Sequence, residues 1–241
     1  ISDLSDERVE MYLNLVPMRR FGEVEEYKLP RIKRISGPFL HRAWLNVPHV
    51  TQFDDADITE MEAFRKGQKA AGEKRGVKMT PLPFLLKACA TALAELPQFN
   101  VSLDMERKEV VRKKYIHIGI AVDTPNGLMV PVIKDVDKKG LWELAAESAE
   151  LAQKARDKQL KPAEMQGACF TITSLGGIGG TAFTPIINEP EVAILGVSPA
   201  QMKPIYDGQV FQPQLMLPLS LSYDHRVIDG RESVGFLVAV K

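Results

Sequence analysis

The sequence predicts an α/β domain, a mixed β-sheet flanked by helices, and three observations predict it. From Leu82 to Leu96, apolar residues (Leu82, Leu85, Leu86, Cys89, Leu93, Leu96) recur at helical spacing between Thr80-Pro81 and Pro97, which marks a core helix. Three short apolar runs, 168–175, 192–197 and 215–221, are separated by Gly- and Pro-rich turns and suit adjacent strands of one mixed sheet. Two further strand-like runs, 115–122 and 128–136, flank Asp123-Thr124-Pro125-Asn126-Gly127, whose Asn-Gly step predicts a hairpin.

The remaining elements follow in chain order. Residues 1–34 are charged and irregular and are expected to form an arm or linker, with the domain proper over 35–241. Ser36-Gly37-Pro38 predicts a helix start, with Phe39, Leu40, Ala43 and Trp44 on one face and an end before Pro48. A strand is expected over 47–53. Thr59-Glu60-Met61-Glu62 has the form of a capping box opening an exposed helix that Gly76 closes. The alanine-rich stretch 141–158 predicts an amphipathic helix, and Lys161-Pro162-Ala163-Glu164 a short further turn. Residues 230–241 begin a last helix, inside which the chain is expected to stop.

Composition narrows the function. The chain has 241 residues, 45% hydrophobic and 26% charged, with 31 basic against 31 acidic side chains. A formal charge of zero removes any global attraction to nucleic acid or to an anionic membrane. No apolar run approaches the roughly 20 residues that cross a bilayer, and the first residues lack the pattern of a secretory signal. Cys89 and Cys169 are too few for a disulfide framework or a thiolate metal site, so a reducing compartment and no metal are expected. Walker, nucleophile-elbow, His-Glu-x-x-His and Cys-x-x-Cys patterns are missing. Gly176-Gly177-Ile178-Gly179-Gly180 predicts a tight turn allowing close approach, not a phosphate loop, because no basic residue adjoins it. His41, His49 and His117 are expected to be structural, and both cysteines to behave as small hydrophobes.

One cluster stands out. Asp224-His225-Arg226-Val227-Ile228-Asp229-Gly230 follows a buried strand, and residues alone favour an ion-pair network over catalysis there. The stretch matches Asp-His-Arg-x-x-Asp-Gly, and with 47–51, 119–132 and 170–176 it resembles the dihydrolipoamide acyltransferases, the E2 cores of 2-oxo acid dehydrogenase complexes. The resemblance runs from about Pro30 to the end, and its wording is most similar to acetyl-transferring bacterial members of pyruvate dehydrogenase complexes. It implies a chloramphenicol-acetyltransferase-like fold and transfer of an acetyl group between dihydrolipoamide and coenzyme A by direct thioester exchange. Succinyl or branched-chain transfer, or a mainly structural core, are the alternatives.

The resemblance also implies roles. His225 is the general base, Thr173 the hydroxyl donor to the oxyanion where acetyl and branched-chain members carry serine, and Asp229 a residue that holds the end of the motif. Ser174 is a second hydroxyl beside Thr173, and Phe183, Leu195 and Asp123 are substrate-binding candidates. Asp224 and Arg226 read as structural, with Arg42 as a partner for one carboxylate. Homotrimers with active sites between subunits, assembled into a 24-subunit cube in the bacterial cytoplasm, are implied. The lipoyl group, and the docking of pyruvate dehydrogenase (E1) and dihydrolipoamide dehydrogenase (E3), belong to domains that this stretch does not contain.

Overall fold

The computed structural model describes residues 22–25, 27–125 and 127–241, so most of the expected arm and Asn126 of the expected turn lie outside the described residues. The elements are α1 (Arg31–Asn46), β1 (His49–Asp57), α2 (Thr59–Gly67), α3 (Lys69–Arg75), α4 (Leu82–Glu95), β2 (Val101–Asp104), β3 (Glu109–Arg112), β4 (Ile118–Ile120), β5 (Val132–Ile133), α5 (Leu141–Arg156), β6 (Phe170–Ser174), β7 (Ala193–Val197), β8 (Gln201–Tyr206), β9 (Phe211–Asp224) and α6 (Gly230–Val240). Seven strands form one mixed sheet in the order β1-β9-β7-β6-β4-β5, with β8 pairing β9; β4, β6 and β7 run parallel and the other pairs antiparallel.

The two faces of this sheet differ, and the difference places the chemistry. One face is apolar: Ile118, Ile120, Phe170, Ile172, Leu195, Leu219 and Leu221 pack against Leu86, Cys89 and Leu93 of α4, Leu144 and Leu151 of α5, and Phe236 of α6. Phe236 lies between Phe99 and Phe170, at ring separations of 4.5 and 5.3 Å. Each such side chain contributes about 1.5–3 kcal/mol on burial, which makes this layer the foundation of the fold. The opposite face carries Thr171, Thr173, Gly196, Ser220, Ser222 and Thr51, and short polar side chains there leave room for another layer to approach.

Several expectations shift. Helix α1 begins at Arg31, ahead of the expected start, so the 34/35 boundary falls inside a helix; Pro30 already supplies the entry, and Pro38 lies in the interior. Thr59 is the first residue of α2 and not its cap. The Asp57 carboxylate takes both the Thr59 N–H (2.9 Å) and its hydroxyl (2.6 Å), which holds that carboxyl below its usual range. Glu62 is occupied by Arg65 through two 2.7 Å contacts, so no capping box forms. Gly76 does end α3, in the left-handed conformation at φ 66° that glycine adopts without strain. The β2–β3 hairpin and β8 escaped the periodicity reading. Strand β3 is exposed on every residue, and β8 contains Pro204, so neither shows the apolar run of a buried strand.

Candidate active site

Side-chain alternation along β6 separates the two neighbouring hydroxyls. Ile172 and Ser174 face the helices and line a cleft of about 670 Å³ together with Asp123, Ile120, Leu82, Leu85, Arg156 and Ser198. Thr171 and Thr173 face the other way. Strand register puts Thr173, Gly196 of β7, Ser220 of β9 and Phe53 of β1 in one row across that second face. A Cβ added to Gly196 would lie 2.7 Å from the Phe183 ring, so the glycine is what lets Phe183 settle onto the sheet beside Thr173. The structure therefore brings Thr173 and Phe183 together and sends Ser174 and Asp123 to the cleft on the reverse side. Leu195 needs correction. It is fully buried, pairs with Ile172 and Leu221, and belongs to the apolar core, because its odd position in β7 points it at the helices.

His225 is presented by the end of β9. The buried Asp224 carboxylate grips Arg226 in a two-pronged ion pair (2.7–3.2 Å) and also takes the Arg226 N–H at 3.0 Å. The Asp224 carbonyl receives the N–H groups of Val227 and Ile228. These bonds close a tight turn whose exposed outer residue is His225, and the ion pair raises Arg226 above its usual pKa. The His225 N–H donates to the Pro48 carbonyl at 3.1 Å, and the imidazole lies 5.8 Å from the Tyr223 ring. Asp229 caps α6: its carboxylate takes the Glu232 N–H, and Glu232 reaches back to the Asp229 N–H, each at 2.9 Å. The carboxylate of Asp229 thus fixes the direction in which the chain leaves the motif.

Within one chain Thr173 and His225 cannot meet. Thr173 is level with Ser220 across two strand spacings, and His225 lies five residues further along β9. With about 3.3 Å per residue and about 4.8 Å per strand spacing, the two backbones are about 19 Å apart. A base and an oxyanion donor acting on one thioester must lie within a few ångströms of the same reacting atoms.

A feature missed by the sequence reading adjoins the cleft. Arg65, Lys66, Lys69 and Lys78 rim a hollow of about 530 Å³ floored by Val77 and Met79. Arg65 also donates to the Met79 carbonyl at 2.9 Å, and Glu62, its ion-pair partner, lines the larger cleft, so the two spaces meet at this pair. The signal was the density of basic residues over 65–78, which in a chain of zero net charge marks a local positive patch.

Other sequence candidates take structural places. His49 donates from Nδ1 to the Val47 carbonyl (2.8 Å) and accepts the Ile187 N–H at Nε2 (3.0 Å), as a structural histidine should. His117 accepts the Asp135 N–H at 3.0 Å. Cys89 is sealed in the core with its pKa pushed up by burial, and burial pushes the Cys169 thiol up to about 11, so neither is a nucleophile. Arg42 pairs with Glu189 at 3.1 Å and not with Asp224 or Asp229.

One mixed sheet, packed by helices on its apolar face and carrying short polar side chains on the other, sets the fold class. The match to solved chloramphenicol acetyltransferase (16% identity, TM-score 0.54, covering 84% of this chain and 92% of that one) shows that fold. The family model for 2-oxoacid dehydrogenases acyltransferase (catalytic domain) matches residues 21–241, and the chain belongs to this family. It is 66% identical over 221 residues to the dihydrolipoyllysine-residue acetyltransferase component of the Pseudomonas aeruginosa pyruvate dehydrogenase complex, covering 92% of this chain and 40% of that protein. The chain thus spans 40% of the length of this relative and 35% of that of the Azotobacter vinelandii one. Among solved structures, the cubic core of a pyruvate dehydrogenase multienzyme complex superposes with TM-score 0.92 at 63% identity over 93% of each chain. The Azotobacter vinelandii dihydrolipoamide acetyltransferase superposes with TM-score 0.91 at 64% identity over 92% of each chain; it was solved to define the role of a serine, a histidine and an asparagine in the catalytic mechanism. No helix among the described residues is long and apolar enough to cross a membrane.

Proposed function

We propose that this domain transfers an acetyl group between dihydrolipoamide and coenzyme A, at a site built from His225 of one copy and Thr173 of a neighbour. One observation carries the reading. In the A. vinelandii enzyme the serine stands 52 residues before the histidine and the asparagine four after it, and in this chain those positions relative to His225 hold Thr173 and Asp229. The separation of about 19 Å within one chain supports completion by a second copy.

The chemistry follows from those groups. A thiol with a pKa near 8.5 is only a few per cent thiolate at neutral pH, so a base beside the coenzyme A sulfur raises the supply of nucleophile. His225 takes the thiol proton, the sulfur attacks the acetyl carbon of the thioester, and the carbonyl oxygen becomes an oxyanion that accepts a hydrogen bond from Thr173. Collapse expels the dihydrolipoamide thiolate, which recovers the proton from His225. No covalent enzyme intermediate is required. General-base help is worth about 10²–10⁴ in rate and one oxyanion donor about 10²–10³. Phe183 shapes the apolar side of the site beside Thr173. The hollow of Arg65, Lys66, Lys69 and Lys78 offers positive charge for the phosphates of coenzyme A.

The assembly belongs to the same proposal: homotrimers forming a 24-subunit cube, served by a lipoyl group and by E1 and E3 through further domains of the whole protein, in the bacterial cytoplasm. The close superposition on a cubic core supports it. The test offers acetyl-, succinyl- and isobutyryl-dihydrolipoamide with coenzyme A and compares kcat/KM. Acetyl should lead by about 10- to 200-fold, the range that one or two methylenes can impose on a pocket. A succinyl preference would move the chain to the succinyl-transferring class, in keeping with threonine at position 173.

A further inference from the structure

We propose that Glu191 is a positioning residue for His225, its carboxyl pinning the 187–192 segment that holds both strand ends between which His225 is presented. The inference rests on the reading of His225 as the base. Backbone bonds define the presentation: the His225 N–H is held by the Pro48 carbonyl next to β1, and the Asp224 N–H by the Val192 carbonyl next to β7. The same short segment touches both supports. Its Ile187 N–H ends on Nε2 of His49, the register partner of Asp224, and its last residue is Val192 itself.

Glu191 is the inward anchor of that segment. It is 3% exposed, and its Oε1 accepts from the Thr171 hydroxyl of β6 at 2.9 Å and from the Asn188 side chain at 3.0 Å. The Glu191 N–H closes the segment on the Asn188 carbonyl at 3.0 Å. Other contacts at this segment are peripheral: Ser102 donates to the Pro190 carbonyl, and Arg42 pairs with Glu189 at the surface. Removing the carboxyl therefore unpins the segment from the sheet and lets both supports of His225 drift.

The pin depends on charge. Oε2 of Glu191 is buried and has no partner among the described residues. The facing ionisable groups are Lys113, itself lowered by burial, and the Cys169 thiol; across the small cavity that Glu191 helps to line, Arg42 and Arg226 are already paired with Glu189 and Asp224. A neutral carboxyl suits this setting, whereas an ionised one leaves an unpaired oxygen in a dry site. Burial pushes the carboxyl up to about 7 against the two donated hydrogen bonds, which favour the ionised form, so as the pH rises through neutrality the pinned state carries the cost of an uncompensated buried charge.

The experiment uses the assembled protein and follows acetyl transfer between about pH 6 and 8.5, with wild type, Glu191→Gln, Glu191→Ala and His225→Ala side by side. Glutamine keeps both hydrogen bonds but cannot ionise. Its kcat should match wild type within about twofold at pH 6, and the ratio of variant to wild type should climb about three- to tenfold by pH 8.5. Glu191→Ala should lose about 10- to 100-fold in kcat with KM for coenzyme A within about twofold. A flat Gln-to-wild-type ratio overturns the inference, even if the alanine variant fails to assemble. An active His225→Ala overturns instead the assignment of the base; an inactive one beside a flat ratio leaves that assignment standing and removes only the role of Glu191.

Discussion

Mixing two inactive variants should restore activity if the site is shared between copies. The perturbation is a pair of single substitutions, His225→Ala and Thr173→Ala, each made in a separate preparation and then dissociated and reassembled together. Register places these residues about 19 Å apart in one chain, so a chain lacking one of them still carries the other for a neighbour's site. Alone, the histidine variant should retain at most about one part in 10² and the threonine variant about one part in 10²–10³ of wild-type turnover. In a cyclic, head-to-tail assembly each site draws its histidine from one copy and its threonine from the next. Random mixing at equal amounts leaves about a quarter of the sites with both intact, so activity should return to about 25% of wild type. The assay is acetyl-dihydrolipoamide-dependent acetylation of coenzyme A, read before and after reassembly. Recovery that stays at the level of the separate variants would refute the shared site, since a site within one chain gains nothing from mixing.

Three further outcomes can be stated. Thr173→Ser keeps the donor hydroxyl and should hold kcat within a few fold, while Ser174→Ala, on the opposite face of β6, should leave it nearly unchanged; a loss for Ser174→Ala as large as that for Thr173→Ala would undo the assignment by strand face. Charge reversal of Lys69 and Lys78 to glutamate should raise KM for coenzyme A about tenfold with kcat little altered and with a shallower salt dependence, and an unaltered KM would remove the hollow from the substrate path. The raised Glu191 pKa also affects stability. Because the carboxyl moves from 4.5 to about 7 on folding, its protonation favours the native state fully below about pH 4.5, and that contribution is lost as the pH rises to about 7. The loss is about 3 kcal/mol, so the melting temperature of Glu191→Gln relative to wild type should rise between pH 5 and 8; a constant difference would show that Glu191 is already ionised in the native state.

Much of the fold was legible because it rests on local periodicity. The α4 pattern, the three apolar runs that became β6, β7 and β9, and the hairpin around 123–127 each announce themselves within a dozen residues. Helix caps were less legible. Thr59 and Glu62 had the right letters for a capping box, but Asp57 and Arg65 bound them more strongly, and that competition depends on where β1 ends. Glu191 gave no signal at all, since a glutamate between Pro190 and Val192 becomes buried only when β6 and the 187–192 segment close over it.

The sequence by itself determined the family resemblance and, through it, the expected class of chemistry. The Asp-His-Arg-x-x-Asp-Gly stretch, the apolar layer beneath it and the missing signatures of other enzymes are properties of residue order, and the turn from Asp224 to Ile228 closes on local bonds, while the distant Pro48 and Val192 carbonyls hold its start. The resemblance had already put Thr173 ahead of Ser174; what the tertiary structure added is that the two hydroxyls face opposite sides of the sheet. A strand turns neighbouring side chains to opposite faces, so Thr173 and Ser174, adjacent in the chain, belong to different environments. Pairing register fixes how far apart two strand ends lie, and it sets the backbones of Thr173 and His225 about 19 Å apart within one chain.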